Sequence, residues 1–184
     1  MESKSFLGKE VEVIMDKTNK NLNRILIVGD AGRGKSTFAS KISAKLGILH
    51  YPTDDFYYEV KFTKVRDRKE SIEKIKEIFK NEKWIIEGTT KHLIEPGLHS
   101  ADIIIHLKYK YILTQWAILI KRYFQRENET IEGLYKLMKH VLYKKYHLGY
   151  RKGKPTPTEI IDPHKHKVIV LSSFKEINDF IDSI

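Results

Sequence analysis

RILIVGDAGRGKSTFASK, Arg24 to Lys41, is the stretch on which the reading of this chain turns. An apolar run, Ile25 to Val28, leads into a loop where four residues separate Gly29 from Gly34 and Lys35 and Ser36 follow directly. A short apolar run, a glycine-rich loop and then a helical pattern are the parts of a buried parallel strand feeding a phosphate-binding loop. Gly29, Gly32 and Gly34 can take backbone angles closed to other residues, so successive N–H groups turn inward and form a nest for phosphate oxygens. The helix that starts near Lys35 adds unpaired N–H groups and the positive end of its dipole. The ammonium of Lys35 reaches the β- and γ-phosphates, and the Ser36 hydroxyl is placed to join a Mg²⁺ shell, with Thr37 as the neighbouring hydroxyl. Gly29, Asp30, Ala31, Gly32, Arg33, Gly34, Lys35, Ser36 and Thr37 are therefore the expected nucleotide-binding set, with ATP and Mg²⁺ as the implied cofactors.

Working outward, Phe38, Ala39, Ile42 and Leu46 recur at helical spacing and Gly47 closes that helix. Ile48 to Tyr51 reads as a second strand, followed by PTDDFYY, Pro52 to Tyr58. Ligands of an open α/β sheet bind beyond the carboxyl ends of its strands, which puts Asp54 and Asp55 beside the triphosphate. Asp54 is the preferred catalytic base for an acceptor hydroxyl, with Asp55 in reserve as an acceptor contact; the alternative is a solvated turn whose Asp caps the next helix. Tyr57 offers a ring for stacking on a base or sugar, although aromatics in this position also serve cores. Lys64 to Lys83 reads as one charged helix with Ile72, Ile75, Ile78 and Phe79 inward, and Arg66 near its start is a candidate acceptor contact.

Trp84 to Gly88, WIIEG, is the third strand. A carboxylate at the end of an apolar strand is costly without a partner, so Glu87 is assigned with Ser36 to the metal or its waters. Lys91, just beyond, is a further acceptor contact. The fourth strand is Asp102 to Leu107, where His106 reads as a core or rim residue. After it Ile112, Leu113, Trp116, Leu119, Ile120, Tyr123 and Phe124 make a strongly apolar helix expected to pack on the sheet. Arg122 and Arg126, four apart, share a face at its end and are assigned to neutralise charge on the transferring phosphoryl group; the alternative is cations complementing a helix C-terminus. Leu134 to Leu142 marks another helix, Arg151 to Glu159 a loop, Lys167 to Leu171 a fifth strand, and Phe174 to Ile181 a closing helix.

With 184 residues the chain suits a single domain over residues 24–184, preceded by an extension over 1–23 to which no chemistry is assigned. It contains no cysteine, which excludes disulfides and thiolate metal sites. No apolar run approaches the roughly 20 residues of a membrane span and the first residues lack a secretory apolar core, so a cytoplasmic, membrane-free protein is expected. A formal charge of +10 favours polyanionic partners without choosing between nucleotides and nucleic acid. Residues 136–154 concentrate lysine and arginine among tyrosines, which keeps a nucleotide-dependent nucleic-acid-binding protein as the rival class. Oligomeric state is not legible in the sequence.

Strands alternating with helices imply right-handed crossovers and a parallel sheet between helical layers. From Arg24 to Ile184 the chain resembles the adenylate-kinase-like branch of the P-loop kinases, and most of all the small DNA topology modulation proteins. The loop GDAGRGKST, an Asp closing strand two, WIIEG, ADIIIHL, the arginine-bearing helix and the final VIVLSSFKEINDFI carry that resemblance. It implies a three-layer α/β/α P-loop NTPase with a five-stranded parallel sheet in the order 2-3-1-4-5, and ATP-dependent phosphoryl transfer. Two departures narrow the acceptor. Gly88 leads to Thr89, Thr90 and Lys91 where adenylate kinases proper carry a proline-arginine pair, and too few residues separate Arg126 from the next helix for a large lid domain. Asp54 to Tyr57, DDFY, with Glu87 and Gly88, is similar to uridine and nicotinamide riboside kinases, where the aspartate activates a ribose hydroxyl. The expected activity is therefore transfer of the γ-phosphate to a nucleoside, nucleotide or similar small hydroxylated acceptor.

Overall fold

The structure is a computed structural model that describes residues 22–60, 63–108, 111–125, 130–145 and 156–184. Its centre is β1 (Arg24–Gly29), whose Ile25, Leu26, Ile27 and Val28 are wholly buried because the strand is paired on both edges and covered on both faces. On one edge it pairs in parallel with β5 (Trp84–Gly88), and on the other with β6 (Ile103–Leu107). Outside these lie β2 (His50–Pro52) on β5 and β7 (Val168–Leu171) on β6, giving the order β2-β5-β1-β6-β7. Over the sheet's own five strands that is 2-3-1-4-5; the labels differ because a separate two-stranded hairpin, β3 (Tyr58–Val60) with β4 (Lys64–Val65), is inserted in the chain.

Alternation along β1 divides the core in two. Ile25 and Ile27 pack with Phe38, Ala39 and Ile42 of α1 (Lys35–Leu46) and with Ile177 and Phe180 of the C-terminal helix, whose range is Phe174–Ser183. Leu26 and Val28 pack on the opposite face with Trp84, Leu93, Ile94 and Ile75. Ile75 belongs to α3 (Arg68–Phe79), which follows the one-turn α2 (Thr53–Tyr57), while Leu93 and Ile94 belong to the short α4 (Lys91–Ile94). Helices α5 (Ile112–Gln125), α6 (Ile131–Lys145), α7 (Pro157–Ile161) and α8 (Phe174–Ser183) complete the chain.

Three local expectations are corrected. The charged segment 64–83 is not one helix: Lys64 and Val65 are strand residues in the hairpin, and α3 begins only after Asp67, whose carboxylate accepts from the N–H groups of Lys69 and Glu70. Helix α5 does not lay its whole apolar surface on the sheet. Gln115 and Leu119 are buried, while Leu113, Ile120 and Phe124 are exposed, because apolar side chains surround the helix and only one side meets the phosphate-binding loop. Of the predicted loop Arg151–Glu159, residues 151–155 lie outside the described residues. Thr156 starts α7 with a capping box, its hydroxyl accepting from Glu159 N–H and its own N–H donating to the Glu159 carboxylate. Of the expected N-terminal extension over 1–23, residues 1–21 likewise lie outside the described residues.

Candidate active site

Gly34 is the N-cap of α1 and adopts the left-handed conformation, with φ of 72°. It supplies no side-chain cap and no acidic residue occupies the first turn, so the helix's leading N–H groups remain available to an anion. Gly32 also has positive φ, 70°, and a Cβ there would sit 2.7 Å from the Leu119 side chain of α5. That close packing presses the loop against α5, where the buried Gln115 side chain donates to the Ala31 carbonyl. A lone glutamine at a helix position among apolar neighbours is the sequence signal for this support.

Lys35 is 9% exposed, and its ammonium donates to the Asp30 carbonyl at 3.1 Å, which folds it back across the loop. Parallel pairing of β1 with β5 sets Ile27 opposite Glu87, bringing that carboxylate to the loop's exit. There the Ser36 hydroxyl donates to Glu87 Oε1 at 2.7 Å, although the two residues are 51 apart in sequence. Glu87 is only 6% exposed. Hydroxyl and carboxylate thus form a compact oxygen pair at the mouth of the nest, a donor set suited to a hard divalent cation and its waters.

Beyond the pair, a cavity of about 850 Å³ is lined by the loop from Ala31 to Thr37, and by Asp54, Tyr58, Gly88, Thr89 and Arg122. Asp54 stands in the first turn of α2, directly after β2, and its charge together with burial raises the Tyr58 phenol above its usual pKa, burial being the larger cause. Gly88 is required by its neighbour: a Cβ would lie 1.8 Å from Thr53 Oγ1. Additional wall comes from Lys41, Lys121, Phe174 and Asn178, none of which the sequence pattern singled out because they meet only in three dimensions.

Other expected acceptor contacts are placed elsewhere. Asp55, Tyr57, Arg66 and Lys91 are not among the residues lining the cavity. The guanidinium of Arg66 donates to the carbonyls of Phe56 and Tyr58, each at 3.1 Å, and to Glu70 at 2.7 Å, so it clamps α2 to the hairpin. Lys91 pairs with Glu95 at 3.2 Å, and Tyr57 packs its ring against Tyr58 and His92. Arg126 lies outside the described residues, as do residues 146–155 of the basic segment; within the described part, Lys136 pairs with Glu132 at 2.6 Å and Lys139 lies over the Tyr143 ring.

Two histidines stand on the sheet's strands, His50 half-buried on β2 and His106 buried on β6. His50 is held below its ordinary pKa by burial, against the opposing pull of Glu87 and Asp55. His106, 5% exposed on β6, is pushed down to about 4, chiefly by burial and then by Lys108, despite the Asp30 carboxylate. The folded state therefore keeps His106 neutral between pH 6.5 and about 4, while the unfolded chain binds a proton there. Stability should fall as pH drops through that window. Urea unfolding at pH 7 and pH 5 checks this: wild type should lose on the order of 2 kcal/mol that His106→Gln retains.

No protein-family model matches the chain. Over 67 residues it is 40% identical to the uncharacterized protein YqaC of Bacillus subtilis (strain 168), a match spanning 35% of this chain and 36% of that protein. Solved structures reach much further along it. Shikimate kinase from Acinetobacter baumannii, in complex with shikimate, covers 90% of this chain and 92% of its own at 15% identity and a TM-score of 0.52. Shikimate kinase from Bacteroides thetaiotaomicron covers 87% and 94% at 14% identity with a TM-score of 0.55. The chain has the fold of the shikimate kinase-like P-loop NTPases. A gluconokinase from Sinorhizobium meliloti 1021 is a further neighbour at 10% identity, covering 88% and 89% with a TM-score of 0.50. These neighbours are small-molecule kinases of the adenylate-kinase-like fold, and at such identities the likeness carries the fold while the acceptor rests on this chain's own residues. No helix among the described residues is long and apolar enough to cross a membrane.

Proposed function

We propose that this chain is a Mg·ATP-dependent kinase that transfers the γ-phosphoryl group to a hydroxyl of a small molecule. The observation that carries the reading is the Ser36–Glu87 hydrogen bond at the mouth of the loop, opening on the same cavity as Asp54 and Arg122. Loop N–H groups and Lys35 hold the β- and γ-phosphates, and Thr37 continues the nest. Ser36 and Glu87 are the residues that would hold the metal and its waters, and the metal would supply neutralisation of phosphate charge.

Asp54 receives the proton of the acceptor hydroxyl as that oxygen forms its bond to the γ-phosphorus. The bond from the γ-phosphorus to the β,γ-bridging oxygen breaks, and ADP leaves with that oxygen. Arg122, on the helix that backs the loop, neutralises charge spreading over the transferring group. Arg126, four residues further along the sequence, is proposed for the same task. The role given to Asp54 is the one implied by the similarity of DDFY to uridine and nicotinamide riboside kinases. A nucleoside or comparable hydroxylated metabolite is the acceptor class this favours.

Glu87→Gln tests the metal arm. The amide preserves size and can still meet the Ser36 hydroxyl, but it removes the negative charge. The Mg²⁺ concentration for half-maximal ATP turnover should rise about tenfold to a hundredfold, with the maximal rate largely recovered at saturating Mg²⁺. An unchanged Mg²⁺ requirement would remove Glu87 from the metal site.

A further inference from the structure

Charge is distributed unevenly around the cavity. Its cationic side chains come from one side: Arg33 and Lys35 from the loop, Lys41 from α1, and Lys121 and Arg122 from α5. That is the triphosphate's side. On the other side, at the carboxyl ends of β2 and β5, the wall is Asp54, Tyr58, Gly88 and Thr89. Among the described residues lining this part there is a carboxylate, a phenol, a threonine hydroxyl and backbone, with no cation.

Two cations close in sequence, Arg66 and Lys91, are committed to other partners. Arg66 spends its three nitrogens on the carbonyls of Phe56 and Tyr58 and on Glu70. Lys91 pairs with Glu95 and does not line the cavity. Arg68, exposed at the start of α3, is not among the residues lining the cavity. Among the described residues lining this part of the cavity, a phosphate or carboxylate on the acceptor would have Asp54 as its charged neighbour and no cation to meet it.

Resting on the kinase reading above, we infer that the acceptor is an uncharged or cationic hydroxyl compound, and that acceptors bearing a phosphate or carboxylate are excluded. Asp54 performs two tasks in this arrangement. It orients and deprotonates the hydroxyl, and it repels anionic analogues. The shared fold with shikimate kinase thus carries an acceptor side of different charge from one that would suit a carboxylate.

Sorting candidate acceptors by charge tests this without guessing a structure. A deproteinised cell extract is passed over an anion-exchange resin, which separates neutral and cationic metabolites in the flow-through from anionic ones in the salt eluate. Each fraction is incubated with the purified full chain, Mg²⁺ and γ-labelled ATP, using Lys35→Ala protein as the blank. Label entering acid-stable phosphoesters should follow the flow-through by about a hundredfold over the eluate, the discrimination expected for a like charge placed beside Asp54. Purified uridine against uridine 5′-monophosphate, and glucose against gluconate, form matched pairs, and in any pair that is used the uncharged member should be preferred. Transfer that follows the eluate, or the anionic member of a pair, overturns the inference and leaves the kinase reading standing. Label appearing in no ester from either fraction overturns the kinase reading itself and the inference with it.

Discussion

Lys35→Ala should abolish phosphoryl transfer, by about a thousandfold or more in kcat/KM, while the protein remains folded. The magnitude follows from what the ammonium does. It lies across the loop with little solvent around it, 9% exposed, so its charge is weakly screened and acts directly on the phosphates as the β,γ bond breaks. Replacing it leaves the nest of N–H groups in place but takes away the one full positive charge that the loop lysine brings to the transferring group. Stability should survive because the Asp30 carbonyl that accepts from the ammonium belongs to a half-buried loop residue and can be solvated once the side chain is gone. Lys35→Met, which retains the aliphatic stem, is the control for packing. Far-UV circular dichroism and a thermal melt should match wild type for both variants, and the transfer assay should be lost in both. Activity within tenfold of wild type in a folded Lys35→Met protein would remove this loop from the chemistry.

Asp54→Asn should lower kcat by about a hundredfold to ten-thousandfold, the range for loss of a positioned general base, with the ATP dissociation constant nearly unchanged. Asparagine has the same outline and can still accept from an acceptor hydroxyl, but it cannot take the proton. Asp54 lines the cavity and its charge is felt at the Tyr58 phenol. Asp55 does not line it, although its charge is felt at His50. Asp55→Asn should therefore keep most of its turnover. Titration calorimetry for ATP and steady-state kinetics for transfer separate the two effects. A parallel loss of ATP affinity and turnover in Asp54→Asn would make Asp54 a binding residue, and a large kinetic loss in Asp55→Asn would move the base one position.

Phosphate-binding loops are legible in sequence because their chemistry is local: Gly29 to Ser36 must be contiguous for their N–H groups to converge. Glu87 was legible for a different reason. A carboxylate that ends an apolar strand needs a partner, and parallel pairing with β1 places that strand end at the loop, where Ser36 meets it. Side chains with long reach were not legible. Arg66 and Lys91 lie near enough in sequence to serve the acceptor, yet where an arginine points depends on which carbonyls around it lack partners. For Arg66 these are Phe56 and Tyr58, exposed to it by a hairpin that the charged pattern of 64–83 concealed. Apolar periodicity in α5 was read correctly as a helix, but it could not tell a face that meets Gly32 from faces that meet solvent. The wall built by Lys41, Lys121, Phe174 and Asn178 comes from helices far apart in the chain, and only the folded sheet brings them together.

The roles of Asp54 and Lys35 both require that this cavity move the γ-phosphoryl group of ATP onto a hydroxyl rather than only hold nucleotide. Its most direct test is a ³¹P NMR time course of Mg·ATP with the wild-type chain and the acceptor-bearing extract, run beside Lys35→Ala and Asp54→Asn. The account predicts that the γ-phosphate resonance is replaced by that of a new phosphomonoester as ADP accumulates, in wild type alone. Conversion of the γ-phosphate to inorganic phosphate with no new ester, or no consumption of ATP at all, would contradict it.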